Sequence, residues 1–140
     1  MFDSVSASAA SGLAAALRRA EASSSNLANA DSRGALPVGE AANVNAPSDT
    51  KEAYVPVRVE QSSTAEGGTA TKERPVIPAY VLLYEPSSHM ANTDGFVAEP
   101  NVDAAAELGE LIDAEASFKA NASTAQSLQD MVRELYDLPQ

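Results

Sequence analysis

This sequence contains no cysteine and no tryptophan, and aromatic residues make up only 5% of it. Without cysteine, the chain has no disulfide, no thiolate metal ligand and no cysteine nucleophile. It also lacks any run of 18 apolar residues, which a membrane-spanning helix requires. The stretch before Arg18 contains no lysine or arginine and is diluted by serine, so we expect no cleaved export signal.

Large apolar side chains are also scarce. Leu, Ile, Val and Phe together account for 27 of the 140 residues, whereas Ala alone accounts for 28. Alanine buries little apolar area, and few large apolar residues combined with high net charge are typical of chains that need a partner to fold fully. The length suits one domain, but a self-sufficient globular enzyme is not expected.

Basic residues are few, with 9 Lys and Arg against 20 Asp and Glu, for a formal net charge of -11. Residues 1–30 are neutral overall, and the acidic excess lies in residues 31–100 and 101–140. Nucleic-acid binding requires clustered cations to neutralise phosphates, so this balance argues against a nucleic-acid partner.

No set of residues in the sequence predicts an active site. His89 is the only histidine, which makes a zinc site improbable and favours a solvated loop residue. No G-x-S-x-G elbow is present, and no GK[ST] follows the Gly67-Gly68 pair, so neither a serine hydrolase nor a phosphate loop is indicated. We therefore expect no catalytic residue, no metal, no cofactor and no small-molecule substrate.

The strongest local pattern lies near the C-terminus, where one stripe of side chains follows alternating spacings of three and four. Such spacing predicts a helix from about 103 to 136 whose stripe forms the contact surface of a coiled coil. Asn101 or Asp103 is expected to cap it, and at roughly 50 Å such a helix needs a partner helix. This C-terminal stripe consists of Leu111, Ala114, Phe118, Asn121, Ala125, Leu128, Val132 and Leu135.

The N-terminal segment supplies a candidate partner helix. Leu13, Leu17, Ala20, Ser24 and Leu27 follow spacings of four, three, four and three. Many serines and one glycine lower helix propensity, so this segment is expected to be marginal or disordered on its own. Stop signals follow it between residues 29 and 34.

The middle of the chain carries most of the prolines and glycines. Partial alternation over 54–59 predicts an edge strand, the polar stretch 61–74 a hairpin loop, and the apolar stretch 76–84 the second strand. Turns are expected at 85–88 and 92–95. The predicted fold is mainly α with a small β insertion, in which an N-terminal helix (1–31) and a C-terminal helix (101–140) pair as a discontinuous axial domain around a middle region (32–100).

Five short motifs occur in a recognisable order. They are SNLANA at 25–30, YEP at 84–86, NTDGFV at 92–97, PNVD at 100–103 and FKAN at 118–121. Their combination resembles the signatures of bacterial flagellar axial proteins, and their order and the chain length resemble those of the proximal rod proteins of the basal body. The resemblance covers about residues 1–31 and 80–138.

The resemblance implies a structural subunit of a hollow helical rod that crosses the periplasm. It further implies export through the flagellar type III apparatus without cleavage, with other rod proteins and further copies of the chain as partners. The residues expected to pack in the assembly are Leu13, Leu17, Asn26, Leu27, Asn29, Leu111, Phe118, Asn121, Leu128, Val132 and Leu135. The residues expected to form the turn and the helix cap are Asp94, Gly95, Pro100, Asn101 and Asp103.

Other interpretations remain open at this point. The chain could be an acidic partner-binding protein, such as an export chaperone or regulator, whose helix docks in a groove. Asn26 and Asn29 are also compatible with simple helix C-caps, and the C-terminal stripe with an intramolecular helix pair. Asn121 is either a device that fixes the register of the helices or a surface residue.

Overall fold

The computed structural model describes residues 2–37, 51–65 and 67–137. These residues form two long helices and two separate two-stranded antiparallel sheets, so the predicted mainly α fold with a small β insertion is confirmed. No helix within the described ranges is long and apolar enough to cross a membrane. In chain order the elements are α1 (Phe2–Ala28), β1 (Val57–Ser63), β2 (Thr69–Pro75), β3 (Tyr80–Tyr84), β4 (Phe96–Pro100) and α2 (Ala104–Tyr136).

Helix α2 begins and ends where the sequence predicts. The Asp103 carboxylate accepts hydrogen bonds from the backbone N–H groups of Ala105 and Ala106, at 3.0 and 3.1 Å, and so caps the first turn. The following 33 residues contain no proline and many alanines, and they extend for about 50 Å. A helix of this length needs another element to cover one of its faces.

Helix α1 supplies that cover and runs antiparallel to α2. Asn26 contacts Glu107 near one end of the pair, while Gly12 lies against Asn121 further along. The segment expected to be disordered on its own is therefore helical in the structure, because packing against α2 provides the burial that its sequence lacks. The helix ends at Ala28, just before the predicted stop signals.

The first sheet differs from the predicted hairpin. The stretch 61–74 is mostly strand: β1 continues to Ser63, β2 begins at Thr69, and the two pair in register from Val57↔Pro75 to Ser63↔Thr69. The prediction of a long loop was wrong because these strands are polar and mostly exposed, so the apolar alternation that marks a half-buried strand is missing.

The tip of this hairpin rests on α1. The backbone N–H of Thr69 donates to Ser11 Oγ at 3.0 Å, and Gly68 has a φ of +117°. A side chain at Gly68 would also collide with Ser11, since an added Cβ would lie 2.7 Å from its Oγ. The hairpin is therefore held on the helix pair at its tip.

The second sheet corrects the assignment of the apolar stretch 76–84. Tyr80–Tyr84 is a strand, but it pairs with β4, which the sequence analysis did not predict, and not with β1. The free side of β4 is bridged by Gly34, which exchanges two 3.0 Å backbone hydrogen bonds with Ala98. Residues 33–52, where the sequence shows neither a helical nor a strand pattern, lie partly outside the described residues.

The buried interior consists mainly of small side chains. Five of the buried apolar residues on the two helices are alanines, with Val97, Ala98 and Leu36 buried around the second sheet. Because alanine fills little volume, the two helices approach closely and most large apolar side chains remain at the surface. The buried alanines of the helices are Ala9, Ala15, Ala16, Ala22 and Ala114.

Candidate assembly surfaces

Asn26 lies near the C-terminal end of α1, contacts two other elements and is only 1% exposed. Its Nδ2 donates to the Val57 carbonyl and to Glu107 Oε1, both at 2.8 Å. Its Oδ1 accepts from the Val57 N–H at 3.1 Å and from the Tyr54 hydroxyl at 3.0 Å. The amide thereby makes all four hydrogen bonds available to it, and it fixes α1, the start of β1 and α2 relative to one another.

Asn29 stands three residues later in the same motif and does something different. Its Nδ2 donates to the Ser25 carbonyl at 2.8 Å, within the last turn of its own helix. Its carbonyl accepts from the backbone N–H and the hydroxyl of Ser32. Asn29 thus ends α1 as a C-cap would, whereas Asn26 is an anchor between elements.

The face of α1 that meets α2 is one residue away from the predicted leucine frame. The positions turned toward α2 follow alternating spacings of three and four: Ala9, Gly12, Ala16, Arg19, Ser23 and Asn26. Sequence analysis favoured the leucines because large apolar residues usually mark the buried face.

The predicted N-terminal residues occupy the flank of this contact. Leu13 and Leu27 are half-buried, and Leu17 is 53% exposed. The single chain leaves part of each of these side chains uncovered. Their packing in an assembly stays a prediction.

Asn121 lies directly over Gly12 at the middle of the helix pair. A Cβ added to Gly12 would stand 2.5 Å from Asn121 Oδ1, so the glycine makes room for the amide. The Asn121 Nδ2 donates to the Ser117 carbonyl of its own helix at 2.9 Å. This pairing of a small residue with a bulky polar one fits the idea of a register device.

The C-terminal stripe is covered only in part by α1. Ala114 is 1% exposed and Leu111, Leu128 and Val132 are half-buried, whereas Phe118 is 44% exposed. The last residue of the stripe, Leu135, is 51% exposed. The stripe is therefore partly covered from Leu111 to Val132, and its most open side chains are Phe118 and Leu135.

A shallow apolar groove of about 410 Å³ runs along the outer side of the two helices. Its walls include Leu17 from α1 and Leu108, Leu111, Ile112 and Phe118 from α2. Leu17, Leu108 and Ile112 are each more than half exposed. The groove thus leaves apolar side chains of both helices uncovered along one side of the pair.

The turn before β4 is organised by Asn92, which the sequence analysis did not single out. Its Oδ1 accepts from the backbone N–H groups of Asp94 and Phe96 at 3.0 and 2.9 Å. Asp94 is exposed, while Gly95 is buried with a φ of +84° and packs against the ring of Tyr84. An Asn that opens an N-x-D-G turn is a known turn signal and was available in the sequence.

The segment between β4 and α2 is fixed to the start of β3. Asn101 donates from its backbone N–H to the Ala79 carbonyl at 3.0 Å and from Nδ2 to the Pro78 carbonyl at 2.9 Å. Pro100 is buried and ends β4, and Asp103 then caps α2. Asn101 is thus a tether between the sheet and the helix.

Ionisable groups on these surfaces form ion pairs between elements. Arg19 of α1 donates to Glu110 of α2 at 2.7 Å, and Arg33 pairs with Glu85 and Glu99 at 3.2 and 3.5 Å. Within residues 2–37, 51–65 and 67–137, no three His, Asp or Glu side chains come close enough together to hold a metal ion.

Comparison with known proteins identifies relatives over most of the chain. Residues 93–138 match the family model described as the flagellar basal body rod FlgEFG protein C-terminal region. The flagellar basal-body rod protein FlgC of Salmonella typhimurium is 32% identical over 138 residues, covering 94% of this chain and 93% of the relative. FlgC of Escherichia coli O6:H1 is also 32% identical, over 135 residues and with the same coverage.

Proposed function

This chain belongs to the FlgC family of flagellar basal-body rod proteins, and on that premise we propose that it is built into the rod through its two terminal helices. The family is structural, so the role assigned is that of a packed subunit without catalytic activity. The alternative of an acidic chaperone or regulator is not favoured by these relatives.

The observation that carries the proposed mode of assembly is the incomplete cover of the helix pair. The apolar groove and the outer part of the C-terminal stripe expose Leu17, Ile112 and Phe118 to water. Burying such side chains against another helix is favourable by about 25 cal/mol for each Å² of apolar surface. Neighbouring subunits that lay their own terminal helices along this surface would complete a coiled-coil packing that one chain alone leaves open.

The proposed division of labour follows the chain order. Residues 1–31 and 101–140 form the axial domain, because α1 and α2 pack against each other and carry the exposed apolar surface. Residues 32–100 form a middle region with two small sheets, which Asn26 of α1 and Asn101 of the segment before α2 connect to the axial helices. The polar strands β1 and β2 lie against α1 on one side and are mostly exposed elsewhere.

The proposed partners are further copies of this chain, other rod and basal-body proteins, and the flagellar type III export apparatus. The proposed location is the periplasm-spanning rod of the basal body. Family membership supports the rod, while the export route rests on the resemblance alone.

The test compares two neighbouring substitutions in α2. Leu128 is half-buried on the stripe, whereas Gln129 is exposed and lies off it. Leu128→Asp places an unpaired carboxylate where a neighbouring helix would pack, which costs several kcal/mol in a buried contact. Gln129→Asp adds the same charge to a solvated position and should cost roughly 0.5 kcal/mol or less.

We expect both variants to be made, only the Gln129→Asp chain to be found in purified basal bodies, and cells with Leu128→Asp to be non-motile. Circular dichroism of both purified chains shows whether α2 has formed and separates misfolding from failed assembly. Equal incorporation of the two variants would refute packing through the stripe. Normal motility after complete deletion of the gene would refute a role in the rod.

A further inference from the structure

The outward face of the β1–β2 hairpin is cationic, in a protein whose net charge is -11. Side chains that alternate along a strand share a face with their direct cross-strand partners. The register pairs Arg58 with Arg74 and Glu60 with Lys72, so these four exposed side chains project from one face. This hairpin face therefore carries three cations and one anion.

The hairpin face is not balanced within the chain. Arg58 and Arg74 stand directly opposite each other, an arrangement of like charges that destabilises an antiparallel pair. Glu60 binds Arg74 at 3.1 Å. Within the described ranges, Arg58 and Lys72 have no ion-pair partner, so the face keeps two uncompensated positive charges.

A complementary surface lies near the end of α2. Asp130, Glu134 and Asp137 follow spacings of four and three, which aligns them on one side of the helix. All three are exposed, and none has an ion-pair partner in the part of the chain that the structure describes. The exposed Arg133 lies on the same side, so the stripe carries three anions and one cation, the reverse of the hairpin face. The charges of this acidic stripe lie about 6 Å apart along the helix, and residues on one face of a strand lie about 7 Å apart. The two spacings are similar, so charges on the two surfaces can face one another.

We propose that the hairpin face of one copy docks on the acidic stripe of a second copy. The proposal rests on the proposed self-assembly and adds a polar contact beside the apolar one. The two surfaces cannot meet within one chain. The tip of the hairpin, at Gly67, lies beside Thr124, and its strands run from there toward Glu107, away from Asp137.

Disulfide trapping tests the contact directly, because the native chain has no cysteine. Chains carrying Lys72→Cys and chains carrying Glu134→Cys, with different tags, are mixed at concentrations where wild-type light scattering reports self-association. We expect a mixed disulfide between the two tagged chains. The matched control replaces Glu134→Cys with Glu115→Cys, an exposed acidic position of α2 more than five turns away, and should give little product.

Charge reversal supplies the second measurement. Arg58→Glu with Lys72→Glu should weaken self-association about tenfold at low salt, and the loss should shrink as salt screens exposed charges. Mixing these chains with chains carrying Asp130→Lys and Glu134→Lys should restore association. The acidic hairpin face of the first variant then meets the basic stripe of the second.

The outcomes separate the two proposals. Trapping at the control position as efficient as at Glu134, or reversed chains that associate like wild type, would overturn the docking contact while leaving assembly through the apolar surface intact. A wild-type chain that stays monomeric at all concentrations would overturn both docking and self-assembly. Selective trapping together with restored association establishes the contact.

Discussion

Replacing Asn26 with alanine removes a side chain of α1 that hydrogen-bonds to both β1 and α2. The amide makes four hydrogen bonds, two of them to the backbone of Val57 and one each to Tyr54 and Glu107. The Tyr54 and Glu107 side chains are half-buried and can turn toward water once the amide is gone. The Val57 N–H and carbonyl are fixed by the backbone and lose their partner.

The magnitude follows from those two fixed groups. A buried polar group left without a partner costs about 1–3 kcal/mol, so Asn26→Ala should lower the free energy of unfolding by about 3 kcal/mol. Asn29→Ala provides a matched control three residues away, because Asn29 bonds only within its own helix end. Losing that single exposed hydrogen bond should cost about 0.5–1 kcal/mol.

Urea unfolding followed by circular dichroism at 222 nm measures both values. With a total stability of about 5–15 kcal/mol for an ordinary domain, and less for a core of alanines, the Asn26→Ala midpoint should fall far below that of Asn29→Ala. Equal losses for the two variants would refute the view that Asn26 is an anchor. A loss near zero at Asn26 would mean that water satisfies Val57 at no cost.

Two further predictions concern Gly34 and Glu115. Gly34→Ala should destabilise the chain by about 2–3 kcal/mol in the same urea assay, because its Cβ would lie 2.2 Å from the backbone nitrogen of Ala53. The control Gly109→Ala, with open space around it, should instead stabilise α2 by about 0.5–1 kcal/mol. Losses of equal size in the two variants would contradict a steric clash at Gly34. The hydrogen bond from Lys119, and then its charge, lower the pKa of Glu115. The ionised carboxylate therefore stabilises the chain at pH values above its ordinary pKa, and this effect is lost as the pH falls through the lowered pKa. Lys119→Ala should raise the pKa of Glu115 in an NMR titration, and an unchanged pKa would contradict the ion pair.

The sequence predicts α2 well because every local signal agrees there. Alternating apolar spacing, the absence of proline, and a capping Asp103 all point to one long helix, and the structure confirms its bounds. The turns at 85–88 and 92–95 were predictable for the same reason, since each contains its own turn residues. Local signals were sufficient where local interactions decide the structure.

The face of α1 and the pairing of the strands required information that the local sequence does not carry. The contact with α2 uses Ala9, Gly12 and Ala16. Small residues of this kind do not mark a buried face in the sequence, and their role becomes visible only when Asn121 is seen to lie against Gly12. The strands of the first sheet are polar because α1 covers only one side of a two-stranded hairpin. A pattern that depends on which element lies opposite cannot be read from one segment alone.

Gly34 shows the same limit at a single residue. Nothing in its neighbourhood predicts a bridge to Ala98, which lies 64 positions away in the chain. Only the three-dimensional arrangement shows that a backbone must approach another backbone at that point, and that the position must lack a side chain.

The unusual distribution of side chain sizes has a consequence for assembly. Small residues join α1 to α2, so Leu17, Leu108, Ile112 and Phe118 are left for contacts outside the chain. Each is about half exposed, and covering the remainder is worth about 1 kcal/mol, since full burial of such a side chain is worth about 1.5–3 kcal/mol. Four of them give about 4 kcal/mol per covered groove, or roughly a thousandfold in an equilibrium constant. A contact of that strength is weak between two free chains, but several such contacts made at the same time bind a subunit much more tightly. The arrangement therefore favours chains that stay separate in dilute solution and hold firmly only within a growing assembly.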